Sequence, residues 1–447
     1  MVSEKLRLTG KALAFFVPYG GRLLMRRATA VQHRWTYQAT PNAKNVVVLG
    51  GSYAGVALAK RLVETLPTGY KVVLVERHSH FHYLFNFPRF AVLPGYEHTA
   101  FIPYDGLAKH APKGIFSHVK GTAVSLTDSE VVLSSGEKIN YDFLALATGS
   151  MQSLPAKVVS TERDEGCREL RAVQDSIKSK DSKNIAVVGA GAVGVELATD
   201  IKTFYPDKNV TLIHSRDQVL NSLKGKRLHD YIVPVLKELD IRLLLNERPQ
   251  LPPGGGVMAG VPGQPLVLNL KSGEEPFDLV IACTGQKPNS KILATLVPGA
   301  ISQETSRILV KPTLQICTAD EHDGPSSRRI FAFGDVAEHG GPRMARAGYF
   351  QAEIVLDNIL SMIHGEPASS TYVPRWDFEG AIKLTLGGAH FVIYSRDSDA
   401  SDILIVNKDG KLDLDIADAW KQLGVDIKSA HAPPPTHSPP TDAVAVN

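Results

Sequence analysis

The sequence predicts an α/β fold, with two doubly wound parallel-sheet domains followed by a small C-terminal α+β region. Three observations lead there. From Asn45 onward, short apolar runs alternate with helical stretches, the pattern of βαβ units in a parallel sheet. A glycine-rich turn from strand to helix occurs twice, as GGSYAG from Gly50 and as GAGAVG from Gly189. Two further apolar strands end alike, in Ala147-Thr148-Gly149 and in Cys283-Thr284-Gly285. The glycine turns are the fingerprint of Rossmann-like dinucleotide-binding domains, and two of them imply two dinucleotides.

Residues 1–42 read as a basic leader. One acid, Glu4, stands against Lys5, Arg7, Lys11, Arg22, Arg26, Arg27 and Arg34, the balance of a targeting or membrane-surface segment. The alternative is a disordered basic tail. Its apolar runs, Leu13 to Val17 and Leu23 to Met25, are interrupted by Pro18, Gly20 and Gly21 and are too short to span a bilayer. Any membrane contact is therefore expected to be peripheral. Val2 follows Met1, so N-myristoylation is not expected.

Residues 43–160 form the first part of one dinucleotide-binding domain. VVVLG is a buried strand, Ala54 to Glu64 a helix and Lys71 to Glu76 the second strand. The fingerprint here is Gly50, Gly51, Ser52, Tyr53, Ala54, Gly55, with serine at the second conserved glycine position. The first glycine permits the tight turn, the second lets backbone approach the pyrophosphate, and the third lets helix and strand pack closely. Phosphates then rest on the helix amino terminus. Serine is small enough to admit the pyrophosphate, and its hydroxyl can bond it. Glu76 ends the next strand, where an acid grips the ribose hydroxyls.

Residues 161–300 carry the second domain. Thr161 to Lys180 reads as an exposed charged linker helix. The second fingerprint is complete, with Gly189, Gly191 and Gly194, followed by Glu196. Its strand Ile185 to Val188, helix Val193 to Phe204 and strand Asn209 to Ser215 complete the unit, and Leu251 to Pro265 is a loop by its Gly and Pro content. The second strand ends in His214, Ser215 and Arg216, with no acid. Nothing there repels a 2′-phosphate, and Arg216 either pairs with one or is simply solvated, so NADPH is expected alongside NADH. Residues 301–375 return to the first domain with RRIFAFGDVAE, which holds Gly334 and Asp335. Residues 376–429 form a C-terminal region, and 430–447 a Pro-rich tail with too few core residues to fold.

Composition excludes several classes. A net charge of +3 over 447 residues gives no footprint for nucleic acid. The three cysteines, Cys167, Cys283 and Cys317, are too few and too scattered for a disulfide scaffold or a zinc site, which points to a reducing compartment. His78, His80 and His82 follow Glu76 with no thiol or further acid close in sequence, and no metal site is expected.

The order of these motifs resembles that of the two-dinucleotide flavoprotein reductases. More narrowly, GGSYAG, SHFHYLFNFPR, GVELATDIKTFYPDKNVTLIHS and IFAFGDVAE resemble the AMID-like flavoproteins, the group of apoptosis-inducing-factor homologues and ferroptosis suppressors. The likeness runs from Asn45 to Ile393. It implies an FAD-binding domain over 43–160 and 301–375 and an NAD(P)H-binding domain over 161–300. It further implies that Gly50 to Ala54, Arg89, Val119 and Asp335 contact FAD and that Glu196 lies near the nicotinamide, with Thr148 and Gly149 lining the cofactor. The implied activity is reduction of a quinone-like acceptor by NAD(P)H, through FAD, at a mitochondrial or cytoplasmic membrane surface. A C-terminal active-site lysine of that group has no close match, since Lys408 and Lys411 both fit poorly. The absence of any CxxC pair argues against dithiol exchange. Two other readings share the scaffold: an oxidoreductase of a small metabolite in specialised metabolism, and a redox-switched signalling or cell-death protein.

Overall fold

The computed structural model describes residues 4–223, 226–251, 256–261, 263–319, 327–396 and 402–430, and every structural statement below concerns these. The chain divides into two units. The first contains the described residues up to Phe81, together with Pro103–Met151 and Gln286–Gly380; the second contains His82–Ile102, Gln152–Gly285 and the described residues from Ala381 onward.

The core of the first unit is a five-stranded sheet in the order Ile330–Ala332, Phe143–Leu146, Lys44–Leu49, Tyr70–Glu76, Phe116–Lys120. All its pairings are parallel, with Val47 beside Val73 and Leu144. Central strands covered on both faces carry no polar alternation, which is why Val46, Val47 and Val48 are consecutive and all fully buried. The helices Tyr53–Thr65 and Ala345–Ile363 pack on each other, and the ion pair of Arg61 Nε with Glu353 Oε1 at 2.8 Å ties them. The leader is one helix, Glu4–Thr36, continuous through Pro18, Gly20 and Gly21. Its last turn docks on the first unit: His33 Nε2 lies 2.6 Å from the Leu66 carbonyl, and the following Tyr37 hydroxyl donates to the Tyr70 carbonyl at 2.9 Å. Among the described residues no helix is long and apolar enough to cross a membrane.

The second unit repeats the plan with the order Ile241–Leu244, Asn209–Ile213, Asn184–Val188, Leu279–Ala282, Val257–Ala259, the last strand antiparallel. Three sequence expectations change here. The segment from Leu251 is not all loop, because Val257–Ala259 pairs with the sheet edge. The strand expected to reach Ser215 stops at Ile213, which leaves His214 in the turn. The linker helix, Arg163–Lys178, is amphipathic rather than exposed. Cys167, Leu170, Gln174 and Ile177 recur at helical spacing and are buried, and Gln174 Nε2 donates to the Phe90 carbonyl at 2.7 Å. The C-terminal region adds an antiparallel sheet of Ile382–Thr385, Phe391–Arg396 and Asp402–Asn407 and the helix Ile416–Gln422, pinned by Trp420 Nε1 donating to the Thr99 carbonyl at 2.8 Å. The expected tail beyond Ala430 lies outside the described residues.

The two fingerprints fold alike down to single atoms. Gly50 and Gly189 adopt φ of +107° and +115°. A Cβ on Gly50 would lie 2.4 Å from the Ala147 carbonyl oxygen, and one on Gly189 would lie 2.6 Å from that of Cys283. The Ala-Thr-Gly and Cys-Thr-Gly strand ends therefore wall the turns. One helical turn on, a Cβ on Gly55 or Gly194 would lie 1.8 Å from the Gly50 or Gly189 carbonyl oxygen. Gly191, by contrast, has nothing within 4 Å of the place a Cβ would take. Gly194→Ala is expected to destabilise the protein by more than about 2 kcal/mol, and Gly191→Ala by less than about 0.5 kcal/mol, as read by chemical denaturation of cofactor-stripped protein.

Candidate active site

In the first unit the predicted residues gather at the carboxyl ends of the parallel strands, where open α/β sheets bind ligands. Ser52 caps the helix Tyr53–Thr65 in extended backbone, but its exposed side chain makes no capping hydrogen bond. The amide groups of the first turn therefore remain available to an anion. The Gly51 N–H donates to Glu76 Oε2 at 2.5 Å, and His78 donates to Oε1 through its backbone N–H at 2.8 Å, with its ring Nδ1 2.6 Å away. Burial by itself would raise the Glu76 carboxyl. The hydrogen bonds and charge of His78, with the Gly51 N–H, outweigh it and hold the group at about 2. The Tyr104 hydroxyl, which sequence reasoning missed, donates to the Gly51 carbonyl at 2.7 Å and fixes the same loop.

Val119 lies on the neighbouring strand opposite Val75. Thr148 is held by Asn289 in both directions, its hydroxyl donating to the Asn289 carbonyl at 3.0 Å and its carbonyl accepting from Asn289 Nδ2 at 2.8 Å. Gly149 follows at φ +65°. Asp335 Oδ2 accepts from the Ser150 hydroxyl at 3.3 Å, and the preceding Gly334 N–H donates to Gln351 Oε1 at 2.7 Å. Gln351 is fully buried, and its side chain also interacts with the Tyr372 hydroxyl.

In the second unit Gly191 caps the helix Ala192–Phe204 with no side chain at all, and Gly189 and Gly194 close the turn. His214 stands where the first unit has Glu76, and the Ala190 N–H donates to its Nδ1 at 3.2 Å. Arg216 is exposed.

The helix Ala192–Phe204 also carries Glu196 and Asp200, four residues apart and so on one face. Arg89 reaches them from the short helix Phe87–Phe90 in the same unit. Its Nε donates to Asp200 Oδ2 at 2.7 Å, with the two side chains 1% and 0% exposed. The Phe204 ring lies 5.6 Å from the guanidinium carbon. Neither terminal nitrogen of Arg89 has a hydrogen-bond partner, although both are buried. Glu196 Oε1 accepts from the Thr385 N–H at 3.0 Å and the Thr385 hydroxyl at 3.2 Å. Burial pushes Glu196 up to about 8, with the Asp200 charge adding to it and Thr385 and Arg89 opposing. Burial raises Asp200 to about 6 against the pull of Arg89. Asp200 and Thr385 escaped the sequence reading. The signal for Asp200 was its place one helical turn after Glu196.

Arg89 thus shares a unit with Glu196, whereas Gly50 to Gly55 and Asp335 lie in the other. Lys408 and Lys411 are both exposed, and Lys411 pairs with Asp415 at 2.7 Å. Among the three histidines, His78 is taken up by Glu76, while the His82 ring packs edge-on to Phe101, 4.9 Å between centroids. Cys167 and Cys283 are thiols that burial pushes up to about 12, far from a reactive thiolate at neutral pH.

These features fit two dinucleotides. Each glycine turn ends at a helix amino terminus with no side-chain cap, Gly191 leaves open the space a backbone-to-pyrophosphate approach needs, and Arg89 holds buried donors with no hydrogen-bond partner. Residues 44–352 match the pyridine nucleotide-disulphide oxidoreductase family. The chain belongs to that family. As a member it is an oxidoreductase with FAD and NAD(P)H as cofactors, on the two-dinucleotide α/β fold the sequence predicts. It is 32% identical over 408 residues to Fe-regulated protein 8 of Mycosarcoma maydis, covering 86% of this chain and 95% of that one. It is 26% identical over 384 residues to ferroptosis suppressor protein 1 of Xenopus tropicalis, covering 85% of this chain and 96% of that one. Among solved structures, the sulfide:quinone oxidoreductase of Aquifex aeolicus shares the fold with a TM-score of 0.63 at 18% identity, over 82% of this chain and 87% of the other.

Breaking the buried pair of this oxidoreductase from one side strands a charge. Asp200→Ala is expected to cost about 3–5 kcal/mol of stability. The double variant Arg89→Leu with Asp200→Leu should cost less than Asp200→Ala alone, since it removes both charges; unfolding in denaturant, with both single variants, completes the cycle.

Proposed function

We infer that this protein passes electrons from NAD(P)H through FAD to a quinone-like acceptor at a membrane surface. The observation that carries the reading is the half-buried Glu196, raised to about 8, one helical turn from Asp200, whose partner Arg89 keeps two terminal nitrogens without a hydrogen-bond partner. Reduction of a quinone consumes two electrons and two protons, so a carboxyl that stays protonated near neutral pH is a group such an acceptor can use. When bound, FAD and NAD(P)H supply the hydride and electron-transfer chemistry, and the protein supplies placement and electrostatics.

In this reading Gly50, Gly51, Ser52, Tyr53, Ala54 and Gly55 receive the FAD pyrophosphate, Glu76 the ribose, and Asp335 the ribityl chain, with Val119, Thr148 and Gly149 lining the site. Gly189, Gly191 and Gly194 receive the NAD(P)H pyrophosphate, with Arg216 at its edge and Glu196 toward the nicotinamide. Arg89 offers its terminal nitrogens to a ligand oxygen. The leader helix supports peripheral membrane contact at a mitochondrial or cytoplasmic surface, because it is basic and leaves Leu6, Leu13, Val31 and Trp35 exposed, Trp35 at 86%.

Steady-state oxidation of NADH is expected to be fast with short-chain ubiquinone analogues and to quicken on anionic liposomes, an increase that removal of residues 1–36 abolishes. Turnover confined to a single unrelated metabolite would sink the quinone assignment. Glu196→Gln should lower quinone-coupled kcat by about 10²-fold or more. Because Glu196 acts in its protonated form, the wild-type rate should fall as pH rises through about 8, and the variant should lose that limb.

A further inference from the structure

The C-terminal sheet meets the helix Ala192–Phe204 through its edge strand, Ile382–Thr385. On an edge strand alternate N–H groups point away from the sheet and need partners elsewhere. Thr385, which lies opposite Phe391 in the ladder, directs its N–H to Glu196 Oε1 at 3.0 Å and its hydroxyl to the same oxygen at 3.2 Å. The turn that follows fixes this contact. Gly387 and Gly388 adopt φ of +87° and +53°, and a Cβ on Gly387 would lie 2.1 Å from Thr203 Oγ1 and 3.0 Å from the Thr199 carbonyl oxygen. The Gly388 backbone also hydrogen-bonds Asp200. The hairpin is thus seated on the stretch of helix from Glu196 to Thr203, and Thr385 cannot move along it without breaking these contacts.

Both donors fall on one oxygen of the carboxyl. A backbone N–H only donates, so Oε1 must be the unprotonated oxygen, and a neutral Glu196 carries its proton on Oε2. The Thr385 hydroxyl then donates as well, because Oε1 has no hydrogen to give it. Three neighbours face Glu196 besides the solvent it has lost: Asp200 from its own helix, Arg89 from Phe87–Phe90 and Thr385 from the sheet. Withdrawal from water and the Asp200 charge favour the acid, whereas the Thr385 donors and Arg89 favour the carboxylate. An acid that holds its proton too tightly is a poor donor. Thr385 is the uncharged member of the three and relaxes that hold without setting another charge beside it.

We propose that Thr385 is a positioning residue for proton delivery, one that reserves Glu196 Oε1 as an acceptor, places the transferable proton on Oε2 and stabilises the carboxylate left behind. The inference rests on the reading of Glu196 as the acid in quinone reduction. In that step the Oε2–H bond breaks and an O–H bond forms on the acceptor oxygen. The electron pair and the second proton come from NAD(P)H, and water returns a proton to Glu196.

Thr385→Val removes the hydroxyl but keeps the N–H and a branched strand side chain, and Thr385→Ser restores the hydroxyl. Retained flavin absorbance of the full-length protein reports that each variant is folded; if Thr385→Val loses it, Thr385→Ala removes the same hydroxyl. In infrared difference spectra taken across pH, the C=O band of protonated Glu196 is the one that Glu196→Gln abolishes. In Thr385→Val that band should move to higher wavenumber, since its oxygen has lost a hydrogen bond, and should titrate about half a pH unit or more above the wild type. The alkaline limb of quinone-coupled kcat should move the same way, with kcat below the limb falling about threefold or more. Thr385→Ser should keep the wild-type band and limb. A side chain that only supported the sheet would lower kcat at every pH and move neither. An unshifted band and limb in Thr385→Val, or equal shifts in Thr385→Ser, overturn the proposal. Failure of the underlying reading would look different: the band would still shift in Thr385→Val, while Glu196→Gln would reduce quinone at the wild-type rate.

Discussion

Everything at both glycine turns depends on one close approach, the contact of a helix backbone with the carbonyl of the turn that precedes it. In each unit the sixth residue of the fingerprint comes so near the first that a methyl group would sit 1.8 Å from its oxygen. That contact sets the angle at which the helix leaves the sheet. It thereby aims the helix amino terminus, and the partial positive charge it carries, at the carboxyl edge of the strands. The strand ends at Ala147 and Cys283 press on the same turn from the other side, so a third segment of chain in each unit is fixed by the same two glycines.

A second constraint is electrostatic. Arg89 and Asp200 are buried and Glu196 is half-buried, and ionisable groups withdrawn from water are stable only if their charges are arranged. Asp200 holds Arg89 at Nε, which leaves the guanidinium edge free, while Glu196 is satisfied at one oxygen by Thr385 from the C-terminal sheet. The proton on Glu196 is part of this arrangement, because a second full negative charge next to Asp200 would have no cation of its own. The C-terminal sheet therefore contributes directly to the state of the acid, through Thr385.

The parts of this design that lie close together in sequence were legible in it. The glycine turns, Glu76, the Thr-Gly strand ends and Asp335 each sit within a strand and the loop that follows, and local pattern is enough to find them. The alternation of apolar runs and helices gave the two sheets for the same reason. What escaped was built at a distance. Arg89 and Asp200 are 111 positions apart, and nothing local to either marks the other. Tyr104 reaches back 53 positions to Gly51. The linker helix was misread because charged residues dominate its composition, while its buried stripe of Cys167, Leu170, Gln174 and Ile177 includes a small thiol and an amide that do not look apolar. The edge strand Val257–Ala259 is three residues long and flanked by Gly and Pro, so pairing with a neighbour, rather than its own propensity, makes it a strand.

The same geometry explains why the first fingerprint departs from the pattern where it does. The first and last glycines are required by the chain itself, through positive φ and the approach of backbone to backbone. The middle position is different in kind. At Gly191 a side chain would meet nothing in the protein, so the glycine there answers only to what approaches from outside. Ser52 holds that middle position in the first unit, in the same extended cap, with an exposed hydroxyl that its own helix does not use. A serine can enter only at the position the fold leaves free. Its hydroxyl then becomes one more group that an anion at this helix amino terminus can meet.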